Sequence, residues 1–134
     1  GVLAVSGDGG YPYAVPLNYV FDGKAIYFHC AKQGHKLDAV RANDKVSFCV
    51  KDLEEIIPEK FTSIFRSVIV FGRASVIEDE AEKRNACMLL SKKFSPEEPD
   101  ERMNEEIDRE WALLNIIRLD PEHITGKQSI ELCR

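Results

Sequence analysis

The sequence predicts a mainly β protein with helices, built as an antiparallel barrel of six or seven strands. Apolar and polar residues alternate along much of the chain, as in strands that bury one face. Turn dipeptides separate these runs: Asp8-Gly9, Gly9-Gly10 and Asp22-Gly23 supply positive φ at low cost. With 134 residues, 44% of them hydrophobic, the chain can bury the core of a single domain, predicted over residues 1–134.

The elements of the first half follow these turns. Residues 2–6, 11–21 and 24–30 are predicted as three successive strands. The spacing of apolar residues changes after Gly34, where Leu37 and Val40 lie three residues apart. This spacing predicts a short helix that ends at Asn43.

The second half contains two long apolar segments and two helix candidates. Gly72, inside the first long segment, predicts a bulge or bend, and acidic residues crowd the positive N-terminal end of the first helix. The predicted elements are a strand at 45–51, an acidic connector at 52–62, a long strand at 63–77, a helix at 79–94, a polar excursion with a short helix at 95–110, a long strand at 111–121 and, after a turn, a short strand within 122–132.

Charge and composition exclude several classes of function. A net charge of −5 argues against nucleic acid or an anionic membrane as a partner, and no run of eighteen apolar residues exists. The four cysteines show no CxxC spacing and are interpreted as reduced, mostly buried thiols of a cytoplasmic protein. The chain opens with Gly1 directly before a strand, so a preceding segment is expected. Long strands that are apolar on both faces need a cover, and a second copy of the chain is expected to supply it.

The segment "YFHCAKQGHK", residues 27–36, concentrates the candidate chemistry. His29 and Cys30 are adjacent, so a strand would point them to opposite faces and disfavour a shared metal ion. The same geometry disfavours a Cys30 nucleophile with His29 as its base. A turn that leads into a helix at His35-Lys36 favours an anion site instead, although Lys36 could equally be a solvated helix lysine.

Several segments together resemble the flavin-binding split-barrel superfamily. The resemblance rests on residues 2–50, above all "PLNYVFDG" and "IYFHCAKQGHK", with "FRSVIVFGRASVIED" and the closing "IIRLDPEHITGK". This superfamily includes pyridoxamine 5′-phosphate oxidase, and the sequence is more similar to the nitroimidazole-resistance (Nim)-type flavoproteins. The resemblance implies a six-stranded antiparallel split β-barrel and a homodimer with FMN, rather than FAD, in two clefts at the subunit interface.

The resemblance also implies a set of site residues. The isoalloxazine edge would lie along backbone atoms of Val15, Pro16, Leu17 and Asn18, and the ring and ribityl chain would run beside Phe28, His29, Cys30 and Ala31. The phosphate would be held by the basic pair His35 and Lys36. From the long strand, the cofactor would be reached by the polar pair Arg66 and Ser67.

His29 takes the position of the Nim active-site histidine, where it would position a substrate or donate a proton. The alternative is a strand histidine bonded to a backbone carbonyl. The resemblance implies an oxidoreductase acting on nitro-type or other small electron-poor substrates, with NAD(P)H as a candidate electron donor. The oxidase's arginine and lysine on the second strand and its C-terminal Trp and Arg motif are absent, which disfavours oxidation of pyridoxamine phosphate. The alternative function is a carrier or sensor that binds a flavin or another cofactor without turnover, and a third possibility is an FMN-free structural dimer of the same fold.

Overall fold

A computed structural model describes residues 1–133, with every side chain except that of Leu53. Its elements in chain order are β1 Val2–Ser6, β2 Pro12–Pro16, β3 Val20–Phe21, β4 Ile26–Ala31, α1 His35–Ala42, β5 Lys45–Ile57, β6 Thr62–Val76, α2 Glu80–Phe94, α3 Asp100–Glu110 and β7 Leu114–Gln128. Short 3₁₀ turns occupy Asp8–Gly10, Pro58–Lys60 and Ile130–Cys133. Arg134, the last residue of the predicted domain, lies outside the described residues.

The strands form one antiparallel sheet in the order β2-β1-β5-β6-β7-β4-β3. Its two edge strands, β2 and β3, are joined by residues 17–19 alone, which span at most about 14 Å. The sheet must therefore curl until its edges approach each other. Phe28 of β4 and Phe48 of β5 are separated by two strands in the sheet order, yet their ring centroids lie 4.8 Å apart across the interior. The predicted antiparallel barrel architecture follows from this curl.

The described residues form seven strands rather than the six that the resemblance implies. The difference arises in the segment predicted as one strand over residues 11–21. That strand ends at Pro16, which has no N–H to donate to a ladder, and the chain pairs again only at Val20–Phe21.

The barrel interior holds the main core. Its fully buried members come from five elements, which are thereby fixed relative to one another. Each such aliphatic or aromatic side chain contributes about 1.5–3 kcal/mol by leaving water. These side chains are Leu3, Phe28, Leu37, Phe48, Ile117 and Leu119.

Two helices cover the outer face of β4 and β7. Leu90 of α2 and Ile107 of α3 pack with Tyr27 and Ile116 in a second buried cluster. The predicted helix at 79–94 is confirmed, and Asp79 caps it by accepting a hydrogen bond of 2.8 Å from the backbone N–H of Glu82. This helical layer lies on the opposite side of β4 from the barrel interior.

Two strands extend further than the sequence predicted. Residues 52–57, predicted as an acidic connector, continue β5, and residues 122–128, predicted as a turn and a short strand, continue β7. The long strand β6 lies between them and pairs with both, from Ile57↔Thr62 on one side to Arg66↔Gln128 on the other. Backbone pairing with β6 therefore overrides the polar local composition.

A bulge or bend was predicted at Gly72, and the register between β6 and β7 does shift between Phe71 and Gly72. The extra residue is Glu122 of β7, whereas β6 keeps its register with β5 at Gly72. A Cβ atom at this position would lie 2.1 Å from the carbonyl oxygen of Asp120. Only glycine permits β7 to approach β6 so closely here.

The cysteines differ from the prediction of mostly buried thiols. Cys30 and Cys87 are buried, whereas Cys49 and Cys133 are exposed, and all four are free. Cys49 is exposed because it lies on the outer face of β5, which no element in residues 1–133 covers. Within the same residues, no helix combines the length and the apolar character needed to cross a membrane.

Candidate functional site

A cleft of about 510 Å³ lies beside the second half of β4, and we call it the β4 cleft. It brings together the β2–β3 connection, the end of β4 and the first turn of α1. Seven of the twelve residues predicted to bind a cofactor line it. The lining residues are Gly1, Pro16, Leu17, Asn18, His29, Cys30, Ala31 and Lys36.

The cleft exists because β3 is only two residues long. β3 pairs with Ile26 and Tyr27 of β4, so the ladder on that side stops there. From Phe28 to Ala31, β4 is paired with β7 alone. The free edge of β4 thus presents backbone donors and acceptors to the cleft.

The β2–β3 connection is held in place from two directions. The Leu17 N–H donates to the carbonyl oxygen of Gly1 at 2.9 Å. Lys93 of α2 donates from Nζ to the Tyr19 carbonyl oxygen at 2.6 Å and lies 3.6 Å from the centroid of the Tyr19 ring. Burial lowers the pKa of Lys93. This wall of the cleft is therefore fixed before any ligand arrives.

Gly34 sets the direction in which α1 begins. It has φ 156° and ψ 163°, a conformation essentially restricted to glycine, and no side chain caps the first turn. Lys36 is half-buried and lines the cleft. His35 is exposed and does not line it: its ring packs edge-on against Tyr13 at 4.7 Å, and Nδ1 lies 3.8 Å from Asp8 Oδ2.

His29 and Cys30 point to opposite faces of β4, as predicted from the alternation of a strand. The Cys30 thiol is buried, donates to the Asn115 carbonyl oxygen at 3.6 Å, and has a pKa raised by that burial, which makes it a poor nucleophile. His29 is exposed on the side of α2. Its imidazole makes no hydrogen bond within residues 1–133, so the bond to a backbone carbonyl that we considered as an alternative is not observed there.

Besides His35, four predicted cofactor residues lie away from the cleft lining. Val15 is half-buried against the barrel core and Phe28 is fully buried in it, so only their backbones could face a ligand. Arg66 and Ser67 line a separate cleft on the long strands together with Lys127. The Arg66 guanidinium lies 2.7 Å from Asp52 Oδ2. One chain does not bring this pair to the β4 cleft.

A second cavity, which we call the α2–α3 pocket, was not predicted from the sequence. It has a volume of about 260 Å³ and a largely apolar lining, and Asn18 and His29 line both this pocket and the β4 cleft. The sequence signal that could have revealed this pocket is Glu110, a carboxylate that follows the buried residues of α3 at helical spacing. The residues that line the pocket are Asn18, His29, Cys87, Leu90, Ser91, Phe94, Glu106, Ile107, Glu110 and Leu114.

Residues 1–133 contain no group of three or more His, Cys, Asp or Glu side chains placed to hold a metal ion. What the arrangement offers instead is an open strand edge, one half-buried lysine and one exposed histidine around a common space. These groups suit an elongated ligand that carries a hydrogen-bonding ring at one end and an anion at the other.

Residues 1–128 match the protein-family model described as pyridoxamine 5′-phosphate oxidase. No curated protein matches the sequence. A candidate 5-nitroimidazole antibiotic resistance protein from Bacteroides thetaiotaomicron has a similar structure, with TM-score 0.72 and 19% identity over 93% of this chain and 74% of the other.

Two further solved structures share the fold. A FAD-binding protein from Mesorhizobium loti gives a TM-score of 0.62 and 24% identity over 96% of this chain and 84% of that one. A FAD and heme binding protein from Mycobacterium smegmatis gives a TM-score of 0.76 and 21% identity over 96% of this chain and 64% of that one.

Proposed function

The chain belongs to the pyridoxamine 5′-phosphate oxidase family, and on this premise we propose that it is a flavoprotein that binds FMN in the β4 cleft. The family resemblance inferred from the sequence is confirmed. We propose further that the protein is an oxidoreductase for nitro-type or other small electron-poor substrates. A flavin supplies two-electron chemistry when bound, while the protein supplies binding, orientation and electrostatics.

The observation that carries the proposal is the donor set of the β4 cleft. The free edge of β4 from Phe28 to Ala31 offers the backbone groups that a flavin ring requires. Lys36 and the uncapped first turn of α1 offer a charge and N–H donors for a phosphate. A volume of about 510 Å³ lies within the range of about 300–1,000 Å³ that is usual for cofactor and ligand sites.

His29 is our candidate for the catalytic residue. It borders both the β4 cleft and the α2–α3 pocket, and its imidazole is not held by another side chain within the described residues. We propose that it positions the substrate and donates a proton to it, as histidine does in general acid–base catalysis.

We also propose a homodimer, supported by the uncovered outer face of the sheet. Strand register places Val2, Cys49 and Ile69 in one row and Phe71 in the next, all on this face. Phe71 is 43% exposed and Ile69 is 37% exposed, so the face is apolar and solvent-accessible in a single chain. In such a dimer, Arg66 and Ser67 would serve the cofactor bound to the partner.

The visible spectrum of the purified protein mixed with FMN tests cofactor binding directly. Lys36→Met should weaken FMN binding by about 10–100-fold, the usual effect of losing a charge-assisted phosphate contact. Lys32→Met is the matched control, because Lys32 is an exposed lysine before the same helix and does not line the cleft. Unchanged FMN affinity in Lys36→Met would refute the phosphate assignment.

Turnover is tested by anaerobic reduction with NADH or NADPH, followed by reoxidation with a nitroimidazole. The wild type should be reoxidised faster than free FMN, and His29→Gln should lose most of this excess while retaining FMN. Reoxidation no faster than that of free FMN would refute the reductase and favour a flavin carrier or sensor.

A further inference from the structure

The α2–α3 pocket differs from the β4 cleft in its chemistry. Its walls are mostly apolar, with Leu90 and Phe94 from α2, Ile107 from α3 and Leu114 from β7. The volume of about 260 Å³ is just below the usual range of about 300–1,000 Å³ for ligand sites, so it suits a molecule with one or two rings. A flat apolar body is the best match to these walls.

α3 adds two carboxylates to this apolar lining, Glu106 and Glu110. Glu110 follows the buried residues Met103 and Ile107 at helical spacing, so it extends the buried face of the helix. Glu110 itself is half-buried and lines the pocket near the end of the helix.

Within residues 1–133, Glu110 takes part in no ion pair. Arg109, its neighbour in sequence, forms its ion pair with Glu106. The pKa of Arg109 is raised chiefly by its hydrogen bond to Glu106, and Glu110 is the smallest of the contributions to this shift. Among residues 1–133 the Glu110 carboxylate therefore has no basic side chain as a partner, and a group inside the pocket could take that place.

We propose that the α2–α3 pocket is a subsite for a small aromatic molecule that carries a positively charged nitrogen, with Glu110 as the residue that selects the charge. The inference rests on the proposed flavin site, because the pocket joins that site through Asn18 and His29. It names the class of substrate: an aromatic cation, such as an electron-poor ring with an amine or amidine substituent, that lies against apolar walls while His29 faces it.

Benzamidine and benzamide form a suitable pair of probes, because they have nearly the same shape and differ in charge. Isothermal titration calorimetry on the full chain, with and without saturating FMN, should show benzamidine binding about tenfold more tightly than benzamide, as expected for one charge-assisted hydrogen bond. Benzoate should not bind. Equal affinity for benzamidine and benzamide, or tighter binding of benzoate, would overturn the proposal.

Two variants locate the site. Glu110→Gln should remove the preference for benzamidine and leave benzamide affinity unchanged, while Glu105→Gln, an exposed residue of α3 outside the pocket, should change neither. Ser91→Trp should fill the pocket from α2 and abolish binding of benzamidine with FMN binding retained. Benzamidine binding that survives both Glu110→Gln and Ser91→Trp would also overturn the proposal.

These measurements separate the two proposals. If the protein fails to bind FMN but still prefers benzamidine over benzamide, the flavin site is refuted and the cation-selective pocket stands. Normal FMN binding without that preference would refute only the pocket assignment.

Discussion

Strands β5 and β6 pass through two environments, and the contrast between them explains much of the molecule. In the barrel they bury alternate side chains, among them Val46, Phe48, Val70 and Ala74. Beyond it, the hairpin at 51–67, which we call the arm, has no buried side chain among those described. The backbone ladder continues unbroken between the two apart from a register shift between Lys51 and Leu53.

The difference shows that backbone pairing and core formation are separable in this fold. The barrel is stabilised by side chains that leave water, and each of its strands contributes to a shared interior. The arm is held by its ladder and by exposed ion pairs such as Arg66–Asp52, which usually contribute about 0–1 kcal/mol each. The arm is thus held mainly by its backbone ladder, without a core of its own.

The largest expected effect comes from the barrel. Phe48→Ala should destabilise the protein by about 3–5 kcal/mol, because it opens a cavity in a close-packed interior. The Phe48 ring lies 4.8 Å from Phe28 and 5.0 Å from Tyr19. Urea unfolding followed by circular dichroism measures the change, and a loss below about 1 kcal/mol would contradict the barrel core described above.

A charge on the outer face should break the proposed dimer. Ile69→Glu should convert dimer to monomer in analytical ultracentrifugation, since a carboxylate would be desolvated at the interface. Cys49, opposite Ile69 in the register, supplies a second readout. Its thiol should react slowly with a thiol reagent in the wild type and rapidly in the variant, whereas Cys30 and Cys87, whose pKa values are raised by burial, should react only on unfolding. A wild-type monomer would refute the dimer.

A smaller effect is expected in the helical layer. Asp79→Ala removes the cap of α2 and should cost about 1 kcal/mol in the free energy of unfolding. Glu78→Ala, one residue earlier, removes a similar charge without removing a cap and should be nearly neutral. Equal losses for the two variants would show that charge, rather than the capping hydrogen bond, stabilises this helix.

The smallest effect is expected at the tip of the arm. Phe61 is 98% exposed and adopts φ 50°, a conformation unfavourable for a side chain of this size. Phe61→Asn should therefore change stability by no more than about 0.5 kcal/mol. A loss comparable to that of Phe48→Ala would mean that the ring is buried in the assembled protein, which would extend the proposed interface to the arm tip.

The sequence alone predicted strands at 2–6, 24–30 and 45–51, the helix opened by Gly34, the helix at 79–94 and an irregularity at Gly72. Each is a local decision: turn glycines, capping residues and apolar periodicity act within a few residues of one another. The family followed from a contiguous pattern of residues for the same reason. The opposite orientation of His29 and Cys30 needed only the alternation of a strand.

Tertiary structure decided the rest. Residues 52–57 were predicted as a connector and residues 122–128 as a turn with a short strand, and both segments instead continue long strands that pair with β6. The α2–α3 pocket depends on how α3 packs over His29, which lies 81 positions before Glu110 in the chain. The lining of the β4 cleft, which includes Lys36 and excludes His35, depends on the direction in which Gly34 starts α1. The two added strand segments and the α2–α3 pocket arise from contacts between residues far apart in sequence, and the β4 cleft forms only where the start of α1 meets β4 and the β2–β3 connection.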